Sequence, residues 1–334
     1  MIIDCHGHYT TAPPELQAYR EAQLSYLAGD ADRTPDGPDI GDAAIRDSIE
    51  NHQLRVLRER GGDLMLFSPR ASGMGHHVTD PGVARDWARV CNDLTHRVAT
   101  MFPEHFAAVC QLPQTPNGDL ADAVAEMRRC VEKLGFVGVN LNPDPSGGWW
   151  TSPPLTDPYW YPVYEAMTAL DVPAMVHVSA STNPAAHDLG ALYLNADTTV
   201  FMQLLQGDLF HAYPSLRLVI PHGGGAVPYH WGRYRGLAER LGRPSPQHLL
   251  DNVFFDTAVY HQPGIDLLHR VIGPDNMLFA SEMLGAVRGA DPATGAAWDD
   301  TRRYVDALDM TDDERRRVYE TNARRVYPRL AHAH

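Results

Sequence analysis

MIIDCHGHY, residues 1 to 9, is a short apolar run that turns polar at Asp4 and then presents two histidines one residue apart. Seven further runs of this kind follow: DLMLFSP (63–69), FAAVCQL (106–112), FVGVNLN (136–142), VPAMVHV (172–178), LRLVIPH (216–222), VFFDTAVY (253–260) and MLFASE (277–282). Their hydrophobicity is continuous rather than alternating, the mark of parallel strands covered on both faces. Between them lie longer segments of helical character, IGDAAIRDSIENHQLRVLRERG and DPGVARDWARVCNDLTHRVATMF among them, several opened by Asp or Asn and closed by Gly or Pro. Eight strand-and-helix units predict an α/β fold, a (β/α)8 TIM barrel with a helical C-terminal extension. A doubly wound open sheet is the competing architecture, but no G-x-G-x-x-G follows the first run. With no internal repeat and no linker, residues 1–334 read as one domain.

Two insertions interrupt this rhythm. Residues 9–40 form a Pro/Gly/Asp-bearing segment after the first strand, and 143–158, PDPSGGWWTSPPLTDP, carry two tryptophans. Loops longer than about 12–15 residues inside a compact domain are usually lids or binding loops. Both fall at the C-terminal face, where barrel enzymes keep their active sites.

At 334 residues and 44% hydrophobic, the chain can bury a sizeable core. Its net charge of -14 argues against nucleic acid and anionic membrane surfaces, which need clustered Lys and Arg. A small anionic substrate fits, because a local arginine pair can oppose the global field. Cys5, Cys91, Cys110 and Cys130 show no C-x-x-C pairing and read as buried thiols of a reducing compartment. The N-terminus lacks a basic n-region, and no apolar run approaches the length of a membrane span, so a cytoplasmic protein is expected.

The chemistry gathers at the strand ends. His6 and His8, at i and i+2 on an extended segment, point the same way and can reach one ion, with Gly7 expected to let the backbone bend toward it. On that dipeptide pattern alone, two hydrogen-bonding loop histidines are the alternative. His177 closes the fifth run, where an imidazole costs free energy unless partnered, although a lone one is more often a satisfied core residue. His222 closes the sixth, before three glycines. The seventh run adds Asp256, Tyr260 and His261, and the eighth adds Glu282. A barrel brings such strand ends together, and their joint occurrence is harder to ascribe to chance than any one alone.

D-x-H-x-H after the first strand, a histidine closing the fifth, P-H-x-G-G in the sixth and an acid at the end of the eighth resemble the amidohydrolase superfamily. More narrowly, they are similar to its branch of metal-dependent decarboxylases and hydratases related to 2-amino-3-carboxymuconate-6-semialdehyde decarboxylase. The likeness runs from Asp4 to the E-x-N-A-R-R-V-Y segment at 320–327. It implies one divalent ion, zinc with manganese as the alternative, held by His6, His8, His177 and Glu282, with His222 as an acid or base nearby. It also implies a homodimer. The departure is Glu282, since relatives mostly end the eighth strand with aspartate.

S-E-M there, together with H-G-H-Y, SGGWWTSPPLTD and LYLNADTTVFMQLL, is similar to the hydratases of the branch that act on 4-oxalomesaconate in meta-cleavage of protocatechuate and gallate. The resemblance therefore implies a hydro-lyase in which Glu282 takes a proton from zinc-bound water and His222 serves the carbon that gains one. A nonoxidative decarboxylase of a carboxymuconate semialdehyde or carboxylated aromatic acid is the alternative; a metal-binding barrel without catalysis is a third reading. A polycarboxylate substrate needs cationic partners, for which Arg70 and Arg288 are candidates, a solvated surface arginine being the plainer explanation of each. Tyr193, Asn195 and Thr199 are expected at the start of the helix after the fifth strand, able to receive a carboxylate, although Asn195 as a simple cap is the blander alternative. His261 and Asn140 are further strand-end candidates. His76 and His77 read as a loop element.

Overall fold

The computed structural model describes residues 1–186 and 190–332. Eight strands, β1 (Ile3–Tyr9), β2 (Leu64–Pro69), β3 (Phe106–Gln111), β4 (Gly138–Leu141), β5 (Ala174–Val176), β6 (Leu218–Ile220), β7 (Val253–Asp256) and β8 (Met277–Leu278), pair in parallel in sequence order. Two backbone bonds draw β8 against β1 and round the sheet into a barrel. The Cys5 amide donates to Phe279 O at 2.8 Å, and the Glu282 amide to His6 O at 3.0 Å. Helices α1 (Pro14–Ala28), α2 (Asp42–Glu50), α3 (Gln53–Glu59), α4 (Pro81–Met101), α5 (Ala121–Arg128), α6 (Tyr161–Leu170), α7 (Gly190–Gln206), α8 (Leu209–Ala212), α9 (Trp231–Arg240), α10 (Gln262–Ile272), α11 (Arg302–Asp306), α12 (Asp312–Arg316) and α13 (Asn322–Val326) connect and follow the strands.

The apolar runs divide between two environments, as a strand with both faces covered requires. Ile3, Leu66, Val109, Met175, Val219, Phe254 and Leu278 fill the barrel lumen. Leu141, Val176, Ile220 and Phe255 alternate with them and pack outward with Met127, Trp160, Phe201 and Leu268 from the helices. The expected C-terminal extension exists as α11–α13, and its last part has a specific task. Ala323, Val326, Tyr327 and Leu330 join the lumen cluster with Ile3, Leu64 and Val137 and plug the base of the barrel. Gly138 is required there, because a Cβ would come within 2.7 Å of Tyr327 Cε1.

A bulge in β1 decides where its histidines face. Ile3 and Cys5 belong to the lumen, so strict alternation would turn His6 outward. The pairing of β1 with β2 shifts register between Asp4 and Gly7, which resets the alternation and points His6 and His8 inward at the mouth. Gly7 consequently faces outward, and a Cβ on it would run into Met65 Sδ. Its glycine therefore serves packing against β2 rather than close approach to an ion, correcting the expectation drawn from the sequence.

Two other local expectations change. Residues 9–40 are not a bare loop, since they contain α1, started by Pro14 and closed by Gly29 at φ 82°. The helical segment 40–61 breaks at His52 (φ -128°, ψ -95°) into α2 and α3. The tryptophan loop is organised by Asp144, which accepts from the amides of Ser146, Gly148 and Trp150 and leaves Trp149 exposed. All four cysteines are buried and free. Among the described residues, no helix is long and apolar enough to cross a membrane.

Candidate active site

His6 and His8 from β1 and His177 just beyond β5 turn their Nε2 atoms toward one point. The separations are 3.0 Å for His6 to His8 and 3.4 Å for His8 to His177. With a Glu282 carboxylate oxygen, they form a buried set whose potential ligand atoms all lie within 4.8 Å of one another. The opposite nitrogens decide the protonation. His6 Nδ1 meets Asp256 Oδ2 at 2.7 Å, and His177 Nδ1 meets Val178 O at 2.8 Å; both acceptors require an N–H at Nδ1. His8 Nδ1 lies 2.8 Å from Ser68 Oγ, whose own hydrogen has carbonyl acceptors at Gly7 and Pro69, so this ring also donates from Nδ1.

Three Nε2 lone pairs therefore face one another inside the protein. No hydrogen bond can relieve them while the rings are neutral, and neutral is the favoured state for two of them. Burial pushes His8 and His177 well below the usual histidine range, and the neighbouring imidazoles push the same way. A cation at the centre reconciles the arrangement, so the residues present fit one divalent ion. Their outer partners, Asp256, Ser68 and the Val178 carbonyl, hold the rings as such a site requires. Asn140 extends this frame, donating to Ser68 Oγ at 3.1 Å.

Glu282 sits at the end of the β8 segment with φ 49°, and Tyr260 Oη reaches its Oε2 at 3.3 Å. His222 faces it. The His222 Nε2 stands 3.7 Å from Glu282 Oε2 and, although buried, has no hydrogen-bond partner among the described residues. Its Nδ1 bonds Asp197 Oδ2 at 2.9 Å, and Tyr193 lies against its ring with centroids 4.4 Å apart. Burial alone would lower His222, but the charge and hydrogen bond of Asp197, with Glu282 and Asp256 nearby, outweigh it and push the ring up to about 9. Asp197 itself is raised to about 6 by burial. An imidazolium beside a carboxylate is the state at neutral pH, and it aims an N–H at the site.

Arg70 and Arg288, both exposed, line one cavity with His8, Thr10, His177, Ser179, Tyr193 and Glu282. A second cavity of about 510 Å³ meets it at Tyr193 and Glu282 and is mostly apolar, with Val259, Leu267 and Leu268 in its wall. Of the residues expected from the sequence, the three histidines, Glu282, His222, Tyr193, Arg70 and Arg288 thus converge. Asn195 and Thr199 do not. Helix α7 already runs from Gly190, so both lie inside it; Asn195 is exposed, and Thr199 Oγ1 bonds back to Asn195 O at 2.8 Å. His261 caps α10, its Nδ1 accepting from the Gly264 amide at 3.1 Å, and only borders the apolar cavity. His76 is the loop element expected, bonded to Leu112 O and Asn142. Asp197 was not singled out from the sequence; its signal is an acid in the apolar run LYLNADTTVFMQLL, four residues after Tyr193 and hence on the same helix face.

A parallel barrel with imidazoles and a carboxylate converging at the C-terminal ends of its strands defines an enzyme of the amidohydrolase type, with a buried group able to bind a metal. The chain belongs to the amidohydrolase family, whose profile matches residues 3–329. It is 60% identical over 332 residues, 99% of this chain and 97% of the relative, to 2-keto-4-carboxy-3-hexenedioate hydratase of Sphingobium sp.. Gamma-resorcylate decarboxylase of Rhizobium radiobacter is 27% identical, covering 84% of this chain and 87% of that protein. Among solved structures, 4-oxalomesaconate hydratase from Rhodopseudomonas palustris superposes with a TM-score of 0.92 at 53% identity, over 100% of this chain and 97% of that one.

Proposed function

We propose that the chain is a hydro-lyase that adds water to a carbon–carbon double bond of the 4-oxalomesaconate skeleton. The observation that carries this reading is the opposed pair of Glu282 and His222, 3.7 Å apart beside the histidine trio, in a chain 60% identical to a hydratase over nearly its whole length. His6, His8 and His177 through Nε2, with Glu282, would hold one divalent ion, zinc being our choice and manganese the alternative. Such an ion, when bound, lowers the pKa of a water to roughly 7 and polarises substrate oxygens.

The chain's own groups divide the remaining work. Glu282 accepts the proton that the attacking water loses. His222, held as a donor by Asp197, delivers a proton from Nε2 to the neighbouring alkene carbon. Arg70 and Arg288 receive substrate carboxylates and orient the double bond between these two groups. Oxygen and hydrogen thus end on adjacent carbons, and nothing leaves.

The names of the two related hydratases describe alkene isomers. In 2-keto-4-carboxy-3-hexenedioate the double bond is conjugated with the 2-keto group; in 4-oxalomesaconate it lies in the mesaconate unit, one carbon removed. We favour the conjugated isomer, because attack at C4 places the developing charge on the keto oxygen and leaves C3 to be protonated. The test supplies each isomer separately to purified enzyme while following the conjugated chromophore and carbon dioxide. Loss of the chromophore without gas is expected. Release of carbon dioxide would instead support the decarboxylase reading.

A further inference from the structure

The position of Glu282 is over-determined by residues that take no part in the proposed chemistry. Asp4, fully buried, accepts from the His6 amide at 3.1 Å, from the Ser281 amide at 3.1 Å and from the Ser281 hydroxyl. One carboxylate therefore fixes both the β1 bulge that aims His6 and the strand end that precedes Glu282. Ser281 Oγ in turn accepts from the Met283 amide at 3.1 Å, and the Glu282 amide reaches His6 O at 3.0 Å. These bonds bracket a residue held at φ 49°, a left-handed conformation that a glutamate does not keep without support.

The side chain is bounded from the other direction. Gly285 donates its amide to Glu282 O at 3.0 Å. A Cβ on Gly285 would sit 2.6 Å from that oxygen and 3.0 Å from both Cγ and Cδ of Glu282. Gly285 is not in a left-handed conformation, so its lack of a side chain answers to Glu282, first to the carbonyl oxygen of that residue and then to its side-chain carbons. An alanine there would press on the carbons that carry the carboxylate.

We propose that Asp4, acting through Ser281, and Gly285 are positioning residues for Glu282, the first fixing its backbone and the second leaving space for its carbonyl oxygen and side chain. Glutamate at this position then works only within the frame Asp4, Ser281 and Gly285 provide. The inference rests on the role given to Glu282 above, and the experiment separates the two.

Asp4→Asn, Asp4→Ala, Ser281→Ala, Gly285→Ala and Glu282→Gln are compared for kcat, KM, bound metal and melting temperature. Displacing a reacting group by about 1 Å costs roughly a hundredfold in rate. We expect kcat to fall by about that factor in Ser281→Ala and Gly285→Ala, with KM little changed, full metal content and crystal structures showing a shifted Glu282 carboxylate. Asp4→Asn, which keeps an acceptor oxygen, recovers part of what Asp4→Ala loses, and Asp4→Ala with Ser281→Ala is no slower than Asp4→Ala alone. Should Asp4→Ala fail to fold, Ser281→Ala and Gly285→Ala decide the matter. Wild-type kcat in those two, with Glu282→Gln inactive, overturns the positioning role, as does a multiplicative double variant. An active Glu282→Gln instead overturns the reading of Glu282 and takes the positioning role with it.

Discussion

His222 Nδ1 stands 2.9 Å from Asp197 Oδ2 in the protein interior, which leaves Nε2 as the only ring atom free to meet a substrate. With the ring pushed up to about 9, it carries its proton at neutral pH. The rate of hydration should therefore hold through neutrality and fall as pH rises through about 9, where the donor is lost. Asp197→Asn removes the charge that raises the ring, so its alkaline limb should move to lower pH. Its kcat should drop toward the 10²–10⁴-fold typical of losing a general acid. A pH series of kcat for both proteins checks this.

Removing the ion should destabilise the fold as well as silence the enzyme. The lone pair of His8 Nε2, 3.0 Å from that of His6 and 3.4 Å from that of His177, has no other means of relief. A ligand present at a hundred times its dissociation constant adds about 2.7 kcal/mol. Calorimetry after dialysis against a chelator should show a lower melting temperature, restored by zinc or manganese. His177→Ala should show little response to either metal.

Shortening Glu282 to aspartate withdraws the carboxylate by one methylene while leaving three imidazoles in place. Bound metal should persist and hydration slow by about 10². Metal analysis beside steady-state kinetics tests the pair of outcomes; undiminished hydration would mean that side-chain length is irrelevant.

Arg70 and Arg288 flank the same cavity, their guanidinium groups held by Ser72 Oγ and by the Gly285 and Leu284 carbonyls. Replacing either with Met should lower kcat/KM by roughly 10- to 100-fold, the equivalent of a charge-assisted hydrogen bond worth about 1.5–3 kcal/mol. Substrate analogues lacking one carboxylate should be nearly indifferent to one of the two changes.

Stability should fall in mild acid because of a histidine outside the site. Burial lowers His76 from 6.5 to about 4, and its Nδ1 accepts from Asn142 Nδ2 at 2.8 Å, a bond that protonation abolishes. The unfolded chain takes up the proton first, so the contribution is complete above pH 6.5 and is lost as pH falls toward 4. Its full size is about 3 kcal/mol. Urea unfolding at pH 7 and pH 5 should differ accordingly, and His76→Gln should flatten the difference.

The barrel was legible because eight short continuous apolar runs alternate with helical segments, as strands covered on both faces do, and the metal-site candidates because polar residues closing such runs meet at one rim. The misreadings share a physical origin in contacts distant along the chain. Helix α1 shows no apolar stripe, since its buried face includes Arg20 and Gln23; Arg20 lies over Trp87 at 4.9 Å and bonds Met74 O. Gly7 answers to Met65, a residue of the next strand. Asn195 resembles a cap only if α7 begins there, and the earlier start at Gly190 turns it outward while placing Asp197 against His222.

Tyr327 fills the base of the barrel against Gly138. A chain emerging from the ribosome can assemble all eight strands before that ring is available, yet the lumen stays open to water from below until residue 327 is made. Domains generally fold as units during synthesis. Here the segment around Tyr327 is the stopper, so sealing of the barrel interior must wait until well after the eighth strand has been made.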